Sequence, residues 1–202
     1  MNGDARRHSP AAERNRGAIL AELRRLLPAE GTVLEIASGT GQHAACFAAA
    51  LPGWRWWPSE ADARLAASIA AWCAELPNVV PVLALDVLAS PWAGAPASVD
   101  AIFCANLLHI SPWHATAALM QGAARHLTAT GLLLLYGPFL VDGEPTAPSN
   151  LAFDADLRAR DPAWGLRRLA EVQAEAAGLR LRERITMPAN NLLLVFERRP
   201  AA

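Results

Sequence analysis

Residues 33–43 read VLEIASGTGQH, an apolar run that contains one acid and then breaks into a turn with two glycines. Glycine has no Cβ, so Gly39 and Gly41 can adopt the positive φ of a tight turn and let the backbone approach a ligand closely. The turn runs into a helical segment, whose first N–H groups have no partner inside the helix. The stretch therefore predicts the first strand, loop and helix start of a nucleotide-type cofactor site.

Glu35 is the one acid in this run, four positions before Gly39. A carboxylate in an otherwise buried strand is costly unless something pairs with it. We therefore expect Glu35, together with Ala37, Gly39 and Gly41, to line the cofactor. The alternative is a strand-end acid that caps nearby backbone N–H groups.

The composition limits the partners and the chemistry. With 202 residues, 53% of them hydrophobic, the chain can bury one substantial core, and a formal net charge of −1 gives no global electrostatic reason to expect nucleic acid or an anionic membrane. All 18 basic residues are arginine, which excludes a lysine Schiff base, pyridoxal phosphate attachment and the P-loop lysine. We expect a small-molecule substrate.

The cysteines and the apolar runs indicate the cellular compartment in which the protein is expected. Cys46, Cys73 and Cys104 are widely spaced in apolar contexts, which favours buried reduced thiols and offers no zinc-type pairing. No signal-peptide-like stretch follows the Arg-rich start, and no long uninterrupted apolar run occurs. We expect a soluble, cytoplasmic protein without a bound metal.

Strands and helices alternate along one expected domain, residues 11–202, behind a tail, residues 1–10, that we expect to be disordered. The apolar runs predict strands at 32–37, 54–57, 79–85, 99–105, 131–136, 180–186 and 191–197. Helical patterns predict helices at 11–27, 42–51, 61–76, 112–127 and 166–177.

The first five strands are separated by helical segments, the pattern of a parallel sheet covered on both faces. Residues 187–190 are too short for a crossover helix, so the last two strands must pair antiparallel or diverge. The predicted fold is α/β: a Rossmann-like, doubly wound, seven-stranded and mostly parallel sheet, with one antiparallel strand near its edge and helices on both faces. Residues 137–165, which are rich in proline, are interpreted as a long irregular loop that caps the substrate side.

In such a sheet the ligand lies at the carboxyl ends of the strands, where the strand order reverses. Glu60 follows the second strand at the distance from the glycine turn where an acid bonds the hydroxyls of an adenosine ribose. Asp86 follows the third strand, where it can bond the exocyclic amine of an adenine while Val87 or Leu88 covers the ring. Each acid can instead be an ordinary cap of a helix or turn.

Asn106 and His109 follow the fourth strand, and Tyr136 ends the fifth. Imidazole titrates near neutral pH, so His109 is the first candidate for a general base and Tyr136 the second. The alternative for His109 is a residue that orders the loop or stacks on the cofactor. Asn106 is expected to contact the cofactor.

Taken together, the residues of the glycine turn, Glu60, Asp86 and the antiparallel finish resemble the class I S-adenosylmethionine-dependent methyltransferases. The closer resemblance is to the methyltransferase-like family of domain of unknown function 938, and it covers nearly the whole chain. The motifs that carry it are AAERN at 11–15, WPSE at 57–60, NLLHI at 106–110, YGPF at 136–139, RDP at 160–162 and MPANN at 187–191.

The resemblance implies S-adenosylmethionine as the cofactor, with Gly39 and Gly41 along its methionine part, Glu60 at the ribose and Asp86 at the adenine. The Asn/Asp-Pro-Pro-Tyr motif that marks many amino methyltransferases is absent after the fourth strand, which weakens a prediction of base or amide N-methylation. The expected function is therefore methyl transfer to an unidentified, small-molecule acceptor.

Two alternatives stay open at this point. An NAD(P)-dependent oxidoreductase is one, because Gly39, Gly41 and Ala44 satisfy the dinucleotide fingerprint with its permitted terminal alanine. Against it stand a single tyrosine, the missing lysine and the lack of room for a substrate domain. The other is a non-catalytic cofactor-binding module of the same fold.

Overall fold

A computed structural model of the protein describes residues 5–199. The helices are α1 (Pro10–Leu26), α2 (Gln42–Ala50), α3 (Ala66–Cys73), α4 (His114–His126), α5 (Pro148–Arg160) and α6 (Leu169–Ala174). The strands are β1 (Gly31–Ile36), β2 (Trp54–Glu60), β3 (Leu83–Ala84), β4 (Val99–Ala105), β5 (Leu127–Gly137), β6 (Phe139–Leu140), β7 (Arg167–Arg168), β8 (Leu179–Met187) and β9 (Asn191–Arg198). Short 3₁₀ turns occupy Ala63–Leu65 and Leu107–Ile110.

Seven strands form one sheet in the order β3-β2-β1-β4-β5-β9-β8. β9 runs antiparallel to both of its neighbours, β5 and β8, whereas the remaining pairings within this sheet are parallel. The predicted mostly parallel, seven-stranded Rossmann-like fold is therefore confirmed, including the antiparallel strand next to the edge. The strand order reverses between β1 and β4, which places a crevice at the carboxyl ends of these two strands.

The sheet separates two apolar cores because successive side chains of a strand point to opposite faces. On one face α1, α2 and α3 pack against Val33, Trp56 and Phe103. On the other face α4 and α6 pack against the intervening strand residues, among them Leu34 and Ile102. The helices thus cover both faces, as the buried apolar runs of the central strands require.

The third strand is shorter than its apolar run predicts. Residues 79–85 form only β3 and one isolated bridge between Val79 and Trp56. Pro81 lies between the two and has no N–H to donate to a ladder. The helix predicted at 61–76 forms as a 3₁₀ turn followed by α3, because the Asp62 carboxylate caps the first turn by accepting the Arg64 N–H.

Residues 137–165 are not the irregular loop that their prolines suggest. They contain β6 and the 13-residue helix α5, which has Pro148 in its first turn, where a missing N–H costs nothing. β6 pairs in parallel with β7, so the predicted helix 166–177 is shortened to α6. Only Asn150 and Leu157 of α5 are buried, so this helix lacks the apolar stripe by which a helix is recognised in a sequence.

The start of the chain packs against α3. Residues 1–4 of the tail predicted to be disordered lie outside the described residues. The Arg7 N–H donates to Ser68 Oγ at 2.8 Å, and Trp72 Nε1 donates to the Arg7 carbonyl at 2.9 Å. Ser9 then caps α1 by accepting the Ala12 N–H, so the helix begins at Pro10, one residue earlier than predicted.

Candidate functional site

Glycine is needed for different structural reasons at the two positions of the turn after β1. Both have positive φ, +58° at Gly39 and +91° at Gly41. A Cβ on Gly41 would lie 2.7 Å from the Cα of Ile69, so this glycine lets α3 approach the turn. A Cβ on Gly39 would meet nothing within 4 Å, so Gly39 borders open space at the strand ends. Ala37 also has a left-handed conformation, with φ of 55°.

Glu60 is fixed beside this turn by two backbone N–H groups. Its Oε2 accepts the Gly39 N–H at 2.9 Å, and its Oε1 accepts the Asp62 N–H at 3.0 Å. The strand ends are also joined by Ser38, whose N–H donates to the Ser59 carbonyl at 2.8 Å. The structure therefore brings Gly39 and Glu60 together, while the contact of either with a cofactor stays a prediction.

Glu35 is turned toward the core rather than toward open space. It is only 2% exposed, and its Oε2 accepts the indole N–H of Trp56 at 2.6 Å. Burial raises the pKa of Glu35 to about 8; the bond from Trp56 lowers it, and the charge of Glu60 adds to the rise. A buried carboxylate is expected to have a partner, and the partner of Glu35 is a tryptophan of the neighbouring strand β2. Direct contact of Glu35 with a cofactor stays a prediction.

Asp86 and Val87 follow β3 with opposite exposure. Asp86 is exposed, and its Oδ1 accepts the Leu88 N–H at 2.9 Å, the geometry of a turn acid. Val87 is buried, and its carbonyl accepts the indole N–H of Trp92 at 3.2 Å. The turn role of Asp86 uses only Oδ1, so its predicted contact with an adenine amine stays open.

A cavity of about 670 Å³ lies at the carboxyl ends of β4 and β5. Among the predicted site residues, Asn106 and Tyr136 are in its wall. The remaining wall comes from α1, from α5 with the residue Pro138 before it, and from the β8–β9 turn. Its lining residues are Ala11, Arg14, Asn15, Asn106, Tyr136, Pro138, Ser149, Asn150, Phe153, Pro188, Ala189 and Asn191.

Asn106 and Tyr136 are linked through the backbone. The Asn106 N–H donates to the Tyr136 carbonyl at 2.8 Å, and Asn106 has a left-handed conformation with φ of 62°. Burial raises the pKa of the Tyr136 hydroxyl, while a hydrogen bond from the Asn15 side chain and the charge of Arg14 oppose the rise. Tyr136 is therefore a phenol at neutral pH, a hydrogen-bonding group rather than a ready base.

His109 lies behind this wall, outside the lining of the cavity. It is 1% exposed, its ring meets Phe139 edge-on with 4.9 Å between centroids, and neither ring nitrogen makes a hydrogen bond of normal geometry within residues 5–199. Burial lowers the pKa of His109 to about 3, and the charge of Arg167 adds to this effect. The imidazole is thus neutral but covered, and its role as a base stays a prediction.

Asn15 is a residue of this site that no single-residue pattern predicts. Its Oδ1 lies 2.7 Å from Nε2 of His43, and its side chain also bonds Tyr136, so it joins α1 to α2 and β5. Burial lowers the pKa of His43 to about 4, which leaves a neutral ring stacked on Phe47. The signal that could have found it is the AAERN motif at 11–15, which places Asn15 among the family residues.

Within the described part of the chain, no group of three or more His, Cys, Asp or Glu residues is arranged to hold a metal ion. None of the helices described between residues 5 and 199 is long and apolar enough to cross a membrane.

Several solved structures of similar fold are described as methyltransferases. The chain matches the calicheamicin-biosynthesis methyltransferase CalO1 in its SAH-bound form with a TM-score of 0.71 and 21% identity, over 90% of this chain and 54% of that one. For the mitomycin 7-O-methyltransferase MmcR the TM-score is 0.78 with 18% identity, over 94% and 54%. At these identities the likeness shows the fold alone.

A third similar structure is NcsB1, an O-methyltransferase from neocarzinostatin biosynthesis in complex with S-adenosylmethionine and 2-hydroxy-5-methyl naphthoic acid. Its TM-score is 0.74 at 15% identity, over 94% of this chain and 55% of that one. The chain therefore spans about half the length of these solved structures.

A family model matches nearly the whole chain. It is described as Protein of unknown function (DUF938), and it matches residues 6–198. Together with the sheet order and the solved neighbours, this match agrees with the resemblance stated from the sequence motifs. The chain belongs to the DUF938 family, and its fold is that of the class I S-adenosylmethionine-dependent methyltransferases.

Proposed function

We propose that this protein binds S-adenosylmethionine in the crevice at the ends of β1 to β4 and transfers its methyl group to a small molecule held in the adjoining cavity. The observation that carries the proposal is the Glu60 carboxylate fixed on the Gly39 N–H, at 2.9 Å, beside the open space over Gly39. Gly39 follows β1, where the strand order reverses, and sheets of this class bind their ligands at that point.

The residues present fit the cofactor. Glu60 offers carboxylate oxygens to two adjacent ribose hydroxyls, and Gly39 leaves room along the turn for the methionine part. Ala37 and Gly41 shape that turn, and Glu35 supports it from the core through Trp56. Asp86 and Val87 then flank the adenine. When bound, the cofactor supplies a methyl group already activated on a positively charged sulfur.

The chain's own residues then have to orient the acceptor and exclude water. Asn106 lines the cavity and is also a predicted cofactor contact, which supports a cofactor site that adjoins the cavity. Tyr136 holds its proton at neutral pH and orients the acceptor by a hydrogen bond. His109 is buried and its pKa is lowered, so positioning is the larger contribution.

A matched pair of acid-to-amide variants tests this site. Glu60→Gln keeps the shape of the side chain but loses the charge and one acceptor oxygen. Glu75→Gln makes the same change at an exposed acid of the segment after α3. In titration calorimetry with S-adenosylhomocysteine, we expect Glu60→Gln to weaken binding about tenfold or more and Glu75→Gln to leave it unchanged.

A screen with isotope-labelled S-adenosylmethionine and a metabolite extract, read by mass spectrometry, tests transfer itself. We expect a labelled small-molecule product that Glu60→Gln strongly reduces. Tight binding without any labelled product would instead favour the non-catalytic module, and unchanged binding by Glu60→Gln would refute the placement of the cofactor.

A further inference from the structure

The wall of the 670 Å³ cavity carries one kind of charge. Arg14 is the only charged residue that lines it, and no aspartate or glutamate does so in the described part of the chain. The other polar lining groups are neutral: a serine hydroxyl, the Tyr136 phenol and several asparagine amides. A ligand that enters this cavity therefore meets a positive potential that no wall residue neutralises.

Arg14 has no internal partner that would use its charge. It forms no hydrogen bond or ion pair with any residue between 5 and 199. The adjacent acid, Glu13, is instead bonded to Arg16. By contrast, Arg25 and Arg64 are paired with carboxylates. The guanidinium of Arg14 is thus available to an anion in the cavity.

The charge of Arg14 acts on Tyr136, which lines the same cavity. It is one of the two effects that lower the pKa of Tyr136 against the larger effect of burial. Two helices, α1 and α5, also begin at this cavity, with Ala11 and Ser149 of their first turns in the wall. Because the amino end of a helix carries a partial positive charge, both helices add to the same potential.

Three of the remaining lining residues carry apolar rings. Phe153, which is 39% exposed, lies on α5, and Pro138 and Pro188 contribute rings from two other segments. Rings of this kind pack well against a planar ligand. The hydroxyl of Tyr136 and the amide of Asn15 add polar groups to the same wall.

The geometry points to an aromatic hydroxy acid as the ligand of this cavity, with its carboxylate on Arg14, its ring against Phe153 and the prolines, and its hydroxyl at Tyr136. This inference rests on the proposed function, since it names the chemical class of the methyl acceptor at the same site. A guanidinium binds a planar carboxylate through two parallel N–H donors, which fixes orientation as well as charge.

The test compares two probes that differ in charge but hardly in shape, 3-hydroxybenzoate and 3-hydroxybenzamide. Their dissociation constants are measured by ligand-observed NMR at low ionic strength, with and without S-adenosylhomocysteine. The proteins are the wild type, Arg14→Gln and the control Arg24→Gln. Arg24 is an exposed arginine in the last turn of α1, about 15 Å along the helix axis from Arg14, so its replacement changes the net charge equally.

We expect the wild type to prefer the benzoate by about fivefold, Arg14→Gln to bind both probes about equally, and Arg24→Gln to keep the preference. The inference is overturned if the wild type binds both probes equally or neither, or if Arg14→Gln keeps the preference. Because binding is measured without turnover, the outcome is separate from the proposed function, which fails instead if S-adenosylhomocysteine does not bind the wild type.

Discussion

Trp56 donates its indole N–H to the buried carboxylate of Glu35, with 2.6 Å between Nε1 and Oε2. The two residues lie on the neighbouring strands β1 and β2, and the register pairs Glu35 with Pro58. One indole donor satisfies one carboxylate oxygen, which is less than an ionised buried carboxylate needs. The raised pKa of Glu35, about 8, follows from this shortfall.

Glu35→Gln is expected to change how stability depends on pH. The pKa of Glu35 is raised from 4.5 to about 8 on folding, so the folded state holds a proton that the unfolded state releases between these values. The free energy of unfolding should therefore fall, through this group, as pH rises from about 4.5 to about 8, by on the order of a few kcal/mol. Glutamine keeps the acceptor for Trp56 and cannot ionise.

The measurement is the difference in urea unfolding free energy between Glu35→Gln and the wild type from pH 5 to pH 8.5. Taking the difference cancels His43 and His109, whose lowered pKa values give the opposite pH dependence. The variant should gain stability relative to the wild type as pH rises. A difference that stays constant over this range would contradict the assignment.

Alanine at the two turn glycines should have unequal effects on stability. Gly41→Ala places a Cβ 2.7 Å from the Ile69 backbone at a φ of +91°, and we expect a loss of about 2–4 kcal/mol. Gly39→Ala meets nothing within 4 Å, so only the left-handed backbone costs energy, about 1 kcal/mol. The measurement is the free energy of unfolding of each variant in urea, with the dependence on urea concentration unchanged from the wild type. Equal losses would show that the two glycines have the same role.

Gly137 and His109 should be energetically coupled. A Cβ on Gly137 would lie 2.4 Å from His109 Nε2, so Gly137→Ala should destabilise the protein by about 1–3 kcal/mol. His109→Ala removes the ring that the new methyl group meets. In a double-mutant cycle, the second change should therefore recover on the order of 1 kcal/mol of that loss. Strictly additive effects would mean that the ring does not occupy the place described.

Arg167 should matter far more to stability than its neighbour Arg168. The buried Arg167 guanidinium donates to the carbonyls of Leu108, Ser111 and Ala163 at 2.6–2.8 Å and so fixes the segment that carries His109. Arg168 forms an exposed ion pair with Asp142. We expect a loss of about 2–4 kcal/mol for Arg167→Ala and under about 1 kcal/mol for Arg168→Ala, measured by thermal unfolding. Similar losses for both would contradict this role.

The fold was predictable because the central strands are buried on both faces and read as unbroken apolar runs, such as residues 99–105, whose bounds match β4. The short link 187–190 left two outcomes for the last strands, antiparallel pairing or divergence, and the structure shows the pairing. Helix α5 was not predictable, since it packs through two residues only and shows no apolar periodicity. The Pro81 interruption of the third strand is visible in the sequence but was outweighed by the valines around it.

The candidate site was predictable in part. Gly39 and Glu60 meet because parallel strands end at the same edge of a sheet. Two other contacts join segments that are far apart in sequence: Phe139 packs against the His109 ring, and Asn15 bonds Tyr136. No local sequence pattern predicts such contacts. Arg14 could not be distinguished from the other N-terminal arginines until the structure showed which of them lines a cavity.

Titration calorimetry of the wild-type protein with S-adenosylmethionine and, separately, with NAD tests the central claim most directly. The glycine turn alone is compatible with both cofactors, since Ala44 satisfies the dinucleotide fingerprint as well. We predict saturable one-to-one binding of S-adenosylmethionine and no measurable heat with NAD. Binding of NAD without binding of S-adenosylmethionine would contradict the account and favour the oxidoreductase.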